Sequence, residues 1–307
     1  MSLFPPPQGL IPPRKPASYD VVVQPNIDQN GNLQPMVVDS KGTVLVDGYG
    51  YIQSTKACPS GTNCVGQKTQ TAGIQEAINY LVNTGKTTIF LRSGTYTINI
   101  SSSTWQTDPN ATDNSCILCI PPVFQAIRII GDGFGGWGDI YNSGYIMPPS
   151  KGTTVYFNFV DTTLPNTYNS GLYVMSPPSS SSYPVESTYH HSPVDIEIDG
   201  IEFKSSVNSF TTNYFTVVNL FYASSMRIGS LKISTSSSSL TGMTNSQGLT
   251  TPMIASQGGN VIERLYVAGF NTGVGMGGGH VTILHLYVDT CIYAIALGGY
   301  THSSIIV

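Results

Sequence analysis

Apolar positions recur along Gly259 to Val307 with a fixed spacing. Leu265-Tyr266-Val267 returns as Leu286-Tyr287-Val288, an offset of 21 residues. The same offset carries Ile262 onto Ile283, Phe270 onto Cys291, Val274 onto Ile295, Met276 onto Leu297, and Gly277-Gly278 onto Gly298-Gly299. A further copy starts at Thr301, where Ser303, Ser304 and Ile305 fall on Thr282, Ile283 and Leu284. Each copy holds two short β-branched runs that alternate apolar and polar, without the three-and-four spacing of a helix. A unit that repeats at this period cannot bury its apolar face alone and stacks on its neighbours. The pattern therefore predicts a β-solenoid in which Val, Ile, Leu and Met form internal ladders and glycine pairs mark bends.

Upstream, the pattern changes twice. Residues 1–18 are a proline-rich arm, expected to be extended. Residues 19–70 alternate through YDVVVQP, QPMVVDS and TVLVDGYGY, with turn chemistry at Asn30-Gly31-Asn32 and Ser40-Lys41-Gly42, which reads as a small leading β-meander. From Thr71, a candidate N-cap, Ile74, Ala77, Ile78, Leu81 and Val82 fall on one helical face, and Gly85 supplies the stop. The strand TTIFL, a turn at Ser93-Gly94 and the strand TYTINI follow.

The segment GIQEAINYLVNTGKTTIFLRSGTYTI resembles the opening of pectate-lyase-superfamily proteins. The resemblance implies a right-handed parallel β-helix whose N-terminal mouth is capped by the amphipathic helix, here spanning residues 71–307. The meander is similar to leaders of archaeal and viral surface proteins in that family. AIRIIGDGFGGWG followed by GTTVYFNF resembles an ordinary first coil, and VDIEIDGIEFKSS a later one. Gly131-x-Gly133-x-x-Gly136 also matches a dinucleotide loop, but no helical period follows it. Residues 161–193, rich in Ser, Pro, Tyr and Asn, read as a long loop in which His190-His191 are solvated. Ser234–Ser239 read as the start of another loop. Arg227-Ile228 with Lys232 misses the spacing of the polygalacturonase Arg-Ile-Lys motif, Gly279-His280 lacks the glycine that would complete that family's Gly-His-Gly, and no Asp-Asp pair occurs. The chain ends partway through a coil, which predicts a fragment or an end covered by another chain. Tailspike members of the superfamily are trimers, so the resemblance implies a possible homotrimer.

Charged residues make up 10% of the 307, against roughly 25% in ordinary soluble domains. Gly, Ser, Thr, Asn and Tyr take their place, a composition suited to an extracellular or virion surface that meets glycans. The net charge of −4 and the lack of basic runs argue against nucleic acid. No apolar run reaches about 18 residues, so no membrane span is expected. The N-terminus lacks the apolar core of a signal peptide, which leaves a trimmed start or release by another route, such as lysis. Cys58 and Cys64 bracket PSGTN and are the disulfide candidate; with Cys116 and Cys119 they are alternatively a four-cysteine zinc site. Cys291 reads as a packed thiol.

The candidate chemistry is the row Asp195, Glu197 and Asp199. Alternation puts Val194, Ile196 and Ile198 inside and the three carboxylates on one outer face. Next-but-one carboxylates stand about 6.8 Å apart along a strand, a separation that fits an inverting glycosidase pair. Drawn together, they fit oxygen ligation of calcium. The plain alternative is a solvated face, since no Arg or Lys lies within the strand. Three functions follow: a glycan-binding surface or virion protein without a catalytic motif, a polysaccharide lyase or glycoside hydrolase working in a groove along the β-helix, and a structural spacer.

Overall fold

The computed structural model describes residues 18–25, 36–134, 152–178, 193–237, 243–253, 260–276, 280–297 and 303–306. In chain order the elements begin β1 (Val21–Val23), β2 (Val37–Asp39), β3 (Val44–Val46), α1 (Ile74–Thr84), β4 (Thr88–Leu91), β5 (Gly94–Ile100), β6 (Gln106–Asp108) and β7 (Ala111–Ile120). They continue β8 (Gln125–Gly131), β9 (Thr153–Phe159), β10 (Tyr168–Val174), β11 (Val194–Asp199), β12 (Ile201–Ser205), β13 (Tyr214–Asn219) and β14 (Ser225–Thr235). The last are β15 (Ser246–Thr250), β16 (Asn260–Ala268), β17 (Thr272–Met276), β18 (His280–Asp289), β19 (Tyr293–Leu297) and β20 (Ser303–Ile306).

The fold is mostly β, with one α-helix among the described residues, and its sheets are built largely of parallel strands. Only β1 with β2, β2 with β3, and β6 with β7 pair antiparallel among these strands. One stack runs β1-β4-β8-β11-β14-β16-β18-β20, a second β5-β9-β12-β14, and a third β7-β10-β13-β15-β17-β19. The long β14 joins the first two, pairing with β11 through its first half and with β12 through its second.

In-register pairing places like residues over like. In the first stack Val21, Ile89, Ile129, Ile198, Ile228, Ile262 and Ile283 are successive partners, and all are buried. The second stack gives the ladder Tyr96, Val155, Phe203, Ile233, Val267. The third gives Leu118, Leu172, Val218, Leu249, Val274. Burying each such side chain contributes roughly 1.5–3 kcal/mol, and β-branched residues suit the pleat. The offset of 21 holds for Ile262 over Ile283, Val274 over Ile295 and Met276 over Leu297. It fails for the final copy: Thr282 faces Ile305, and Ile283 faces Ile306, a shift of two residues. Pairing that preserves the inward parity tolerates an even shift, which the sequence period does not reveal.

α1 buries Ile74, Ala77, Ile78 and Leu81, while Val82 is half-buried. Its N-cap is Gly73, in the left-handed region at φ +82°, rather than Thr71. Thr71 acts from two residues earlier: its hydroxyl donates to Glu76 Oε2 and accepts from the Gln75 N–H. Gly85 closes the helix at φ +67°. Gln75 then does what a neighbouring strand would do for β7: its amide donates to the Cys119 carbonyl at 3.0 Å and accepts the Cys119 N–H at 2.7 Å.

Three further expectations change. Residues 161–193 are not one loop, since β10 lies within them. Ser234 belongs to β14, not to a loop. The four-cysteine zinc site is replaced by two disulfides, Cys58–Cys64 and Cys116–Cys119, which leave no thiolate ligands. The Cys58–Cys64 pairing is as expected, and Cys291 is a free, partly buried thiol packed on the core. Residues 1–17 of the proline-rich arm, Asn30-Gly31-Asn32, Gly136, His190-His191, Gly279 and the two glycine pairs lie outside the described residues.

The leader is tied to the stacks by Asp20, whose Oδ2 accepts the N–H groups of Thr87 and Thr88 at 2.9 and 3.0 Å. Burial works to raise this carboxyl, but those N–H groups and Lys86 together outweigh it and hold it below the usual carboxylate range. A lowered folded pKa gives stability that is present above the unfolded value and lost as pH falls through the folded one. Asp20→Asn is therefore expected to lower the urea midpoint at pH 7, the gap to wild type closing below about pH 4; a gap independent of pH would refute the clamp. Gln75→Leu leaves two buried backbone groups of Cys119 without partners and is expected to cost about 1–3 kcal/mol in the same measurement.

Candidate functional site

A crease crosses the third stack. In each of its pairings one position is skipped: Ile117, Gly171, Val217, Gly248, Gly273 and Ala294. On β7 and β13 two consecutive residues there face the core, Ile117-Leu118 and Val217-Val218. The chain must kink, and the flanking outward residues converge. Cys116 and Cys119 measure the kink: their Cα atoms are 5.5 Å apart, where a straight strand would place them about 10 Å apart. On β15 the same convergence lets Gln247 Nε2 donate to Thr250 Oγ1 at 2.8 Å.

Glycine permits the kink where the core crowds it. A Cβ on Gly171 would stand 2.5 Å from the Phe157 ring and 2.6 Å from the Val217 carbonyl oxygen. A Cβ on Gly248 would stand 2.4 Å from Val267 Cγ1.

The outer side of the kinked strands is a groove of about 430 Å³. Asn114, Tyr168 and Tyr214 are register partners along one wall. Tyr173, Asn219 and Thr250 are partners along the other. Thr216 and Gln247 line the groove between them, with Phe221 and Tyr222 closing one side. No lining residue is charged. Tyr168 is 53% exposed. Asn219 Nδ2 donates to Ser170 Oγ at 3.1 Å, and the Tyr214 hydroxyl donates to Gln247 Oε1 at 3.3 Å. Tyr173 donates to the buried Asp108 carboxylate at 3.0 Å, and Asp108 also accepts the Ser176 N–H. Burial pushes the Tyr173 phenol up, and the Asp108 charge pushes it further. Burial likewise raises Tyr214 and Tyr222. The three phenols therefore stay protonated. Tyrosines offering flat apolar faces beside amides and hydroxyls suit a ligand that is part apolar and rich in hydroxyl groups.

A second cavity, about 600 Å³, opens beside Tyr96 and Lys68. It is bounded by Pro25 and Met36, which flank a segment outside the described residues, and supports no reading.

The carboxylate row lies where alternation puts it: Val194, Ile196 and Ile198 are buried, and Asp195, Glu197 and Asp199 face outward. Each carboxylate has a protein partner. Asp195 accepts from the Ser225 hydroxyl, Glu197 pairs with Arg128 at 3.1 Å, and Asp199 accepts the Ser230 N–H at 2.8 Å while packing over Gly229. Arg128 and Arg227 are the register partners of Glu197 on either side, and Arg227 continues to Glu263 at 2.9 Å. The cations missing from the strand itself thus come from its neighbours. Such half-exposed pairs are worth about 0.2–1 kcal/mol each. Lys232 lies elsewhere, in a buried pair with Glu202. Among the described residues no group of three or more His, Cys, Asp or Glu is placed to hold a metal ion. No helix among them is long and apolar enough to cross a membrane.

The groove leaves no fixed period in the sequence. Its signal is a short motif, Ser170-Gly-Leu-Tyr173, Thr216-Val-Val-Asn219, Gln247-Gly-Leu-Thr250 and Thr272-Gly-Val-Gly275, with paired inward residues at its centre.

The chain matches no protein-family model, no curated protein and no solved structure.

Gly171→Ala is expected to lower stability by about 1–3 kcal/mol through overpacking, read as a shift in urea midpoint; a neutral effect would mean that the kink does not need glycine.

Proposed function

We propose that this is a glycan-binding surface protein, of a virion or a cell exterior, that holds its glycan in the crease. The single observation that carries the reading is the groove of tyrosines and amides built across successive register partners. We further propose that the three stacks wind as a right-handed parallel β-helix of the pectate-lyase-superfamily type. The 21-residue register, the helix packed on the first strands and the resemblance at residues 73–98 support that architecture. The low content of charged residues supports an exterior setting. Neither reading needs a catalytic group, and all three outer carboxylates have protein partners.

A second reading, cleavage of a polysaccharide on the carboxylate row, is favoured by one observation: Arg128 and Arg227 flank Glu197. Two assays separate the readings. On a glycan array the wild-type protein is expected to bind, and Tyr168→Ala to weaken binding about tenfold, the loss of one aromatic anchor of about 1.4 kcal/mol. Tyr168 is exposed, so its loss leaves the fold intact. In a reducing-end and unsaturated-product assay, no turnover is expected. Turnover abolished by Glu197→Gln would establish the second reading instead.

A further inference from the structure

The groove also selects by charge. Resting on the proposal that the crease holds a glycan, we infer that it takes an uncharged oligosaccharide of three to four sugar units and rejects uronate- or sialate-containing ones.

Two independent features lead there. The lining offers phenol, amide and hydroxyl groups and no cation. A carboxylate placed in it would lose water without gaining a charged partner, a penalty of several kcal/mol for a fully desolvated ion. Behind the wall, Asp108 is fully buried and is held by the Tyr173 hydroxyl and the Ser176 N–H. The Tyr173 hydroxyl is thereby engaged behind the wall, and Tyr173 sits in register beside Asn219 on the next strand. An anionic sugar on that wall meets poor solvation and a tyrosine whose hydroxyl is already donated to Asp108. A neutral sugar meets donors and acceptors fixed in advance: Asn219 is oriented by Ser170 and by the Phe221 N–H, and Gln247 by Thr250.

The length follows from the strands. The groove draws residues from β7, β10, β13 and β15. Four strands give three intervals of about 4.8 Å, roughly 14 Å in all. One interval is close to the length of a pyranose unit, so successive sugars meet equivalent positions on successive strands.

The test is calorimetric titration of the full chain with neutral hexose and N-acetylhexosamine oligosaccharides of increasing length, and with oligogalacturonates as acidic counterparts. A neutral series is expected to bind with an affinity that rises up to three or four units and then levels, insensitive to added salt. The oligogalacturonates are expected to bind at least about tenfold more weakly. Thr250→Lys, which adds a cation at the wall, is expected to narrow that gap. Oligogalacturonate binding equal to or tighter than neutral binding, and lost in Tyr168→Ala, overturns the charge inference and leaves the glycan reading standing. Neutral binding that keeps strengthening well beyond four units overturns the length. No binding by either series overturns both the inference and the reading beneath it.

Discussion

The structure depends on in-register stacking of buried aliphatic side chains. Val21, Ile89, Ile129, Ile198, Ile228, Ile262 and Ile283 run through the molecule as one ladder, each on the next strand of the first stack. Strand alternation makes such a ladder intolerant of a one-residue slip, because a slip would expose every inward side chain of the strand. The ladder therefore fixes what stands outside it. Asp195 beside Ser225, Glu197 between Arg128 and Arg227, and Tyr266 stacked on Tyr287 are all consequences of an inward register.

The crease is a local exception to alternation, repeated until it becomes a surface feature. One strand with two consecutive inward residues is only a local kink. The same kink at the same register across β7, β10, β13 and β15 makes a continuous concavity whose walls are the converging outward positions. The first of these strands is locked by the Cys116–Cys119 disulfide. Gln75 of α1 holds Cys119 from the other side, so the helix that covers the first strands also positions the start of the groove. Packing inside thus shapes the groove outside, through residues that do not line it.

Much of this was legible in the residues. The 21-residue period located two successive strand pairs to the residue, because no insertion separates them. The helix was legible from its apolar face and from Gly85. The inward set of Val194, Ile196 and Ile198 followed from alternation alone. The groove was not legible, for a physical reason. Its register partners are separated by 46 residues between Ser170 and Thr216, 31 between Thr216 and Gln247, and 25 between Gln247 and Thr272. Connections of changing length destroy a fixed period while leaving the register untouched. The Ser- and Tyr-rich composition of residues 161–193 also hid β10, since a strand facing a polar groove lacks a simple apolar alternation. Finally, a carboxylate row read within one strand looked uncompensated, whereas its arginines come from partners about 30 and 70 residues away in sequence.

We propose that the crease, and not the carboxylate face, receives the glycan. A crystal of the protein soaked with a neutral tetrasaccharide tests it most directly. Sugar density is expected to lie along the groove, with rings against Tyr168 and Tyr214 and hydroxyls within hydrogen-bond distance of Asn219. Density seated on Arg128, Glu197 and Arg227, with the crease empty, would contradict it.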